Sequence, residues 1–219
     1  MIKCCVFDLD GTLFNTLPTI TYYVNRTLAA HGIAPISEEE CCAAIGHGAR
    51  HLIDTVLGYR PECQLDPVAV LDEYSAMYNA DTLYLTEPYP DIAEMLSSLR
   101  SKGVKLAVLS NKPHETTLDI ISQYFPDTFD LVFGGRAGVP LKPAPDALLA
   151  MLSDIGLTPA EAAYIGDTGV DIATGKAAEC ALSIGVSWGF RSREELCRAG
   201  ADVIADTPYD ITAEVLSYD

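Results

Sequence analysis

Short apolar runs alternate with helical patterns over most of this chain. The apolar runs have the length of buried β-strands and cover residues 4–7, 104–109, 131–133, 163–165, 181–186 and 203–205. From residue 91 onward, helical patterns separate these runs, at residues 92–100, 115–124, 146–155, 170–178 and 193–199. This alternation predicts an α/β fold, a Rossmann-like, doubly wound parallel sheet with helices on both faces.

The stretch from residue 15 to residue 88 interrupts the alternation. It has helical patterns at residues 19–30, 37–45, 50–57 and 67–83 but no convincing strand. The segment Glu87-Pro88-Tyr89-Pro90-Asp91 follows it, and its prolines are typical of a rigid hinge. We therefore expect an inserted helical cap domain, residues 15–88, and a core domain made of residues 1–14 and 89–219.

Charge and cysteine content narrow the classes of partner and compartment. The formal net charge of −17 would repel nucleic-acid phosphates and anionic lipids, so we expect no nucleic-acid and no membrane partner. The seven cysteines include no C-x-x-C pair, which fits neither a disulfide framework nor a zinc site. We expect a cytoplasmic protein with a small substrate, and the sequence does not indicate an oligomeric state.

Two carboxylates follow the first apolar run, in Val6-Phe7-Asp8-Leu9-Asp10-Gly11-Thr12-Leu13. At a strand end, the side chain of Asp8 and a main-chain carbonyl can converge on one hard cation. Gly11 allows the backbone to approach a ligand closely. The alternative is an ordinary Asp-Gly turn with solvated acids.

Three further motifs follow later runs. Ser110 and Asn111 lie where a strand is expected to pass into a helix start, which can bind phosphate oxygens or simply cap the helix. Lys142 lies between prolines and is either stiffened for a site or merely exposed. Asp167 and Asp171 can face a cation, although Asp171 can also complement a helix dipole.

All these motifs lie at the carboxyl ends of predicted strands. In a doubly wound sheet the ligand site lies at that edge, so residues far apart in sequence should meet there. The chain accordingly resembles the haloacid dehalogenase superfamily, which carries D-x-D-G-T, a strand-end Ser or Thr, a Lys and G-D-x-x-x-D in this order. Within it, the resemblance is greatest to the phosphoglycolate phosphatase branch, on Ser110-Asn-Lys-Pro, Ile165-Gly-Asp-Thr and Gly185-Val-Ser-Trp-Gly189. The chain departs from the family pattern at two positions. It has Asn15 where the family often has Asp, and Ser110 where the family often has Thr.

The resemblance implies a phosphatase that passes through an aspartyl-phosphate. Asp8 would attack phosphorus, while Asp10 would protonate the leaving oxygen and then deprotonate the hydrolytic water. Mg²⁺ would be held by Asp8, Asp167 and the main-chain carbonyl of Asp10. Asp171 would orient Lys142 or a metal-bound water.

The resemblance also implies a substrate site for a small phosphorylated metabolite such as phosphoglycolate. Ser110, the main chain of Asn111 and Lys142 would hold the phosphate oxygens, and Gly11 would allow close approach. In the cap, Ile45-Gly46-His47-Gly48-Ala49-Arg50 is expected to face the site, so that its N–H groups, His47 or Arg50 contact the leaving group. The alternative is that this turn only connects two helices and does not contact the substrate.

Other functions remain open at this point. A sugar phosphomutase of the same superfamily would return the phosphoryl group to its substrate. A phospho-accepting receiver module would also use a strand-end Asp, Mg²⁺, a Ser or Thr and a Lys, but it would need neither Asp10 nor the insertion. A catalytically idle phosphate-binding protein would not need all four motifs.

Overall fold

The computed structural model describes residues 1–218. Six parallel strands form the central sheet, in the order β5-β4-β1-β6-β7-β8. A separate antiparallel pair joins β2 to β3. The strands are β1 Cys4–Phe7, β2 Phe14–Asn15, β3 Glu87–Pro88, β4 Lys105–Pro113, β5 Leu131–Gly135, β6 Ala162–Gly166, β7 Leu182–Val186 and β8 Val203–Ala205.

Ten α-helices flank the sheet or lie in the inserted region of the described chain. They are α1 Leu17–Ala30, α2 Glu38–Ala44, α3 Ala49–Gly58, α4 Pro67–Ala80, α5 Ile92–Ser101, α6 His114–Tyr124, α7 Asp146–Asp154, α8 Gly169–Ala177, α9 Arg193–Arg198 and α10 Pro208–Ser217. A short 3-10 turn covers Pro159–Glu161.

Helices cover both faces of the sheet, which confirms the predicted doubly wound α/β fold. Alternate residues of a strand face opposite sides, so Phe7 of β1 packs in one apolar cluster with α5, α6 and α10. Val6 packs in a second cluster, with α7. Because β1 lies in the middle of the sheet, all four of its residues are buried, and this explains their continuous apolar run.

Helices α1 to α4 pack around an apolar cluster of their own, which includes Ile20, Leu52 and Tyr74. The β2–β3 pair aligns Phe14 with Pro88 and Asn15 with Glu87, where the chain leaves the sheet region and returns to it. These two short strands were not predicted. The proposed division at residues 14/15 and 88/89 stays a prediction about domain organisation.

Two elements differ from the sequence expectation. Strand β4 runs on to Pro113, because pairing with β5 resumes at Pro113 after a bulge that begins at Leu109. Ser110 and Asn111 therefore lie within the strand, which passes into α6 at His114, and the alternative that one of them caps the helix was wrong because Pro113 occupies the N-cap position. Helix α10 was not predicted, although Thr207 and Asp210 form a capping box at its start and Ile211 is buried against the core.

The described residues, 1–218, include no helix that is both long and apolar enough to span a membrane.

Candidate active site

Neighbouring strands bring the two aspartate motifs together. Strand β1 lies between β4 and β6, and the Asp8 N–H donates to the Ile165 carbonyl at 2.9 Å. Asp8 therefore continues the parallel ladder, and its side chain emerges at the carboxyl edge beside Asp167. The meeting of these residues at one edge is what the parallel topology predicts.

Gly11 permits the close approach of Asp167 to the first motif. Its φ is 80°, a left-handed conformation, and a Cβ atom at this position would lie 2.2 Å from Asp167 Oδ2. The expected close approach at Gly11 is thus made by a carboxylate of the protein itself. Any side chain here would displace Asp167.

Asp167 is fully buried and held by hydrogen bonds from two directions. The Thr12 hydroxyl donates to Oδ1 at 3.1 Å, and the Phe190 N–H donates to Oδ2 at 2.8 Å. Burial, with the nearby charges of Asp171 and Asp8, raises the pKa of Asp167 well above its usual range. The negative charge of such a buried carboxylate is most readily balanced by a bound cation.

Lys142 bridges the carboxylates of Asp8, at the end of β1, and Asp171, in the first turn of α8. Its Nζ lies 2.9 Å from Asp8 Oδ1 and 2.7 Å from Asp171 Oδ1. Asp171 Oδ2 accepts from the Thr168 N–H and hydroxyl, at 3.0 and 2.7 Å. Asp171 therefore orients Lys142, one of the two roles considered for it.

The pKa values at this site reflect burial opposed by ion pairing. Burial raises the pKa of Asp8 to about 7, although Lys142 works in the opposite direction. Burial lowers the pKa of Lys142, but Asp171 and Asp8 outweigh that effect and hold it well above its usual range. Near neutral pH, Lys142 therefore stays charged, while the protonated and ionised forms of Asp8 are similarly populated.

The donor set suits a hard divalent cation. Asp8, Asp167 and Asp171 are buried and offer oxygen atoms within 4.8 Å of one another. With Asp10, the site has four carboxylates against the two ammonium groups of Lys112 and Lys142, which leaves a net charge of −2 when all are ionised. An all-oxygen, negatively charged set is typical of Mg²⁺ or Ca²⁺ sites.

Ser110 and Asn111 both line the cleft, but their side chains have different environments. The Ser110 hydroxyl lines the cleft and accepts the Lys112 N–H at 3.2 Å, so its own hydrogen can still be donated to a ligand. The Asn111 amide instead holds main-chain atoms of Lys142, accepting at 2.8 Å and donating at 3.1 Å, and it also donates to the Gly46 carbonyl at 3.0 Å. Its side chain is thus committed to structure, and only its main chain remains available to a phosphate.

A cleft opens above Asp8 and Asp10, between the sheet edge and helices α1, α3 and α4. Its walls are largely apolar and aromatic, with contributions from Ile20, Ile45, Leu52, Tyr74 and Tyr78. The concave, largely apolar lining is typical of a small-molecule site.

Lys112 is the site residue that the sequence reasoning missed. Its Nζ lies 3.0 and 3.3 Å from the two carboxylate oxygens of Asp10, and 4.7 Å from the centre of the Tyr78 ring. Among residues 1–218, it is the only lysine or arginine that lines the cleft. Burial lowers the pKa of Lys112, but the charge of Asp10 raises it by more, so the net shift is upward. The available signal was strand alternation, which places Lys112 on the same side as Ser110.

The turn at residues 45–50 borders the cleft, but the side chains of His47 and Arg50 lie outside it. Arg50 is exposed and directs its Nε to both carboxylate oxygens of Asp54, one helical turn further along α3, at 2.9 and 2.8 Å. His47 packs against the ring of His51, and burial lowers its pKa, which disfavours a charged imidazole. Neither side chain lines the cleft, whereas Gly46 and Gly48 do.

The loop between β7 and α9 connects the aspartates to the inserted helices, and no site role was predicted for it. Trp188 Nε1 donates to the Thr12 carbonyl at 3.0 Å, and the Phe190 N–H binds Asp167 as described above. Arg191 donates to the carbonyls of Cys42 and Ile45 at 2.8 and 2.9 Å. One loop thereby contacts both the candidate metal site and the end of α2.

Comparison with known proteins yields consistent relatives. The family model for haloacid dehalogenase-like hydrolases matches residues 2–179. The chain is 38% identical over 176 residues to a phosphoglycolate phosphatase of Cereibacter sphaeroides, covering 79% of this chain and 80% of the relative. It is 30% identical over 211 residues to a phosphoglycolate phosphatase of Haemophilus influenzae, covering 93% and 94%. A crystal structure of a predicted phosphoglycolate phosphatase from Haemophilus somnus superposes with a TM-score of 0.90 at 27% identity, covering 97% of both chains.

Proposed function

Because the chain belongs to the haloacid dehalogenase-like hydrolases and is a phosphoric monoester hydrolase, we propose that its reaction passes through an aspartyl-phosphate on Asp8. The proposed enzyme depends on Mg²⁺ and has 2-phosphoglycolate as its substrate. The observation that carries the proposal is the set of contacts around Asp8. This buried carboxylate lies at the cleft floor, beside Asp10 and in contact with Lys142.

The hydrogen bonds of Asp8 distinguish its two oxygens. Oδ1 accepts both the Leu9 N–H at 2.7 Å and the Lys142 ammonium at 2.9 Å. Within residues 1–218, Oδ2 accepts no hydrogen bond from another protein group, so it is the oxygen available to attack phosphorus. A carboxylate nucleophile divides one difficult displacement into two easier ones.

The proposed reaction has two displacements. Asp8 Oδ2 forms a bond to phosphorus, the ester P–O bond breaks, and the leaving oxygen takes a proton from Asp10. Water then attacks phosphorus and gives a proton to Asp10, the bond to Asp8 breaks, and inorganic phosphate leaves. Asp10 lines the cleft next to Asp8, as a group that serves both half-reactions must.

The phosphate would be held by groups that the sheet edge already positions. Lys142 and the Ser110 hydroxyl would contact its equatorial oxygens, where charge accumulates during transfer. Asp8, Asp167 and the Asp10 carbonyl would hold Mg²⁺, with Asp171 committed to Lys142. The bound cation supplies positive charge that offsets the negative charge of the phosphate and the aspartates.

The test is a turnover screen for release of inorganic phosphate. Substrates would include 2-phosphoglycolate, sugar phosphates, nucleotides and pyrophosphate, each after chelation and again with Mg²⁺ or Ca²⁺ restored. We expect 2-phosphoglycolate to be hydrolysed best, chelation to stop the reaction, Mg²⁺ to restore it and Ca²⁺ to inhibit, because Ca²⁺ prefers longer and more numerous oxygen contacts.

Three results would contradict this function. Conversion of a sugar phosphate to its isomer without phosphate release would indicate a phosphomutase. Full activity in metal-free enzyme would exclude Mg²⁺ dependence. Preference for a larger substrate would retain the phosphatase chemistry but reject phosphoglycolate.

A further inference from the structure

Lys112 is a buried cation whose role the reaction itself does not account for. The side chain is only 6% exposed, yet it lies at the wall of the cleft rather than within the apolar core. A buried lysine costs free energy unless a partner compensates its charge, and here Asp10 does so. The pairing places a cation beside the group that contacts the leaving oxygen.

We propose that Lys112 determines specificity by binding a carboxylate of the leaving group, so that the cleft selects phosphate esters of short 2-hydroxy acids. The inference rests on the proposed function and names the group that recognises the substrate. Arg50, to which the sequence assigned that role, is paired with Asp54 on an exposed helix surface.

The hydrogen-bonding capacity of the ammonium supports this role. A lysine has three N–H donors in a compact group, and Asp10 accepts through its two oxygens at 3.0 and 3.3 Å. One donor is left for a second acceptor. The Tyr78 ring lies 4.7 Å from Nζ, and among residues 1–218 no carboxylate other than that of Asp10 forms an ion pair with Lys112.

The spacing of the groups defines the class of leaving group. Asp10 must lie at hydrogen-bond distance from the ester oxygen, and Lys112 already lies at that distance from Asp10, so ester oxygen and ammonium are neighbours separated by about two hydrogen bonds. In a 2-phosphooxy carboxylate a single carbon separates the ester-bearing oxygen from the carboxyl carbon. Its carboxylate can therefore reach Lys112 while its ester oxygen faces Asp10.

The experiment compares two esters that differ in one charged group. These are 2-phosphoglycolate and 2-hydroxyethyl phosphate, in which a hydroxymethyl group replaces the carboxylate. For wild type we expect kcat/KM at least about tenfold higher with 2-phosphoglycolate, which is the usual contribution of a charged hydrogen bond. Lys112→Met should reduce that ratio to near one, Lys112→Arg should retain part of it, and Lys176→Met, which removes an exposed lysine paired with Asp202, should leave it unchanged.

Binding provides a second measurement that does not require turnover. In an Asp8→Asn background, calorimetry should show that Lys112→Met weakens 2-phosphoglycolate binding by about tenfold or more while changing 2-hydroxyethyl phosphate binding by less than about threefold. A carboxylate preference that survives in Lys112→Met, in turnover or in binding, would overturn the inference and leave the phosphatase assignment standing. A wild-type enzyme that shows no such preference, or does not bind 2-phosphoglycolate, would overturn both this inference and the proposed substrate.

Discussion

At the scale of single residues, Asp8 experiences two opposed influences. Burial favours its neutral form, while Lys142 at 2.9 Å favours the carboxylate. Asp167 has the same burial and accepts two hydrogen bonds but contacts no lysine or arginine in the described chain. The difference explains why the site is suited to a cation placed between these two aspartates.

Asp8→Asn should reduce phosphate release at least roughly a thousandfold, since the amide keeps the shape but cannot attack phosphorus. The measurement is single-turnover phosphate release, with far-UV circular dichroism to confirm the fold. Asp154→Asn, at the exposed end of α7, is the matched control and should keep full activity. Activity of Asp8→Asn within tenfold of wild type would rule out Asp8 as the nucleophile.

Mg²⁺ affinity should depend on pH, because the cation competes with protons at the raised-pKa carboxyls. Asp8, with a pKa of about 7, is largely protonated below that pH, and the pKa of Asp167 is also raised. As the pH rises those protons leave, so the affinity should increase by up to about tenfold per pH unit for each displaced proton and level off above the pKa.

Calorimetry without substrate, in buffers of different ionisation enthalpy, would count the protons released by Mg²⁺. Asp8→Asn should make the pH dependence shallower, because it removes one of the competing protons. A Mg²⁺ affinity that does not change between about pH 5.5 and 7.5 would contradict the assignment of these carboxyls to the metal.

At the scale of elements, the β7–α9 loop joins the site to the end of α2. Arg191 is 16% exposed and donates to the Cys42 and Ile45 carbonyls, which lie in the last turn of α2 and just beyond it. Free carbonyls at a helix end need external donors. The same loop donates the Phe190 N–H to Asp167, so the position of α2 and the orientation of Asp167 depend on one segment.

Arg191→Ala should lower the free energy of unfolding by about 1–3 kcal/mol, since two carbonyls lose a charged donor. Arg191→Lys should recover little of it, because an ammonium lacks the planar fork that reaches both carbonyls. Urea denaturation would measure this, with Arg198→Ala as the control, since Arg198 is exposed and donates to the Glu194 carbonyl of its own helix. Equal stability of Arg191→Ala and the control would show that the link does not stabilise the fold.

At the scale of the whole molecule, the charge distribution opposes the substrate. The chain has 31 acidic and 14 basic residues, which gives a formal net charge of −17, while the cleft presents the ammonium of Lys112 to an anionic ester. Long-range repulsion therefore slows encounter, and short-range contacts provide binding. Salt screens the long-range part most strongly, because the Debye length falls to about 10 Å at 0.1 M.

Raising ionic strength from about 0.02 to 0.2 M should increase kcat/KM for 2-phosphoglycolate by roughly twofold or more, the reverse of an electrostatically steered enzyme. The measurement requires saturating Mg²⁺ throughout, and choline chloride as well as sodium chloride to separate screening from ion binding. A decrease in kcat/KM with both salts would show that the local field of the cleft, rather than the net charge, governs encounter.

The sequence by itself determined most of the elements, although not β2, β3 or α10, and the edge of the sheet at which the motif residues meet. Burial of β1 on both faces requires a continuous apolar run, and the two carboxylates after it mark the carboxyl edge, so Asp8, Asp10, Lys142 and Asp167 were expected to meet there. These inferences succeeded because periodicity records which side of an element is buried, and parallel topology fixes where strand ends lie.

Tertiary structure alone decided which partners these groups have. The Asn111 side chain holds the main chain of Lys142, Arg50 was considered for the substrate but pairs with Asp54, and Lys112 binds Asp10 across 102 positions of sequence. Each choice depends on how far β4 extends and where α3 and α4 lie above it. A local sequence pattern specifies the face on which a side chain lies, whereas the atoms opposite that face come from distant segments whose placement is set only by the packed fold.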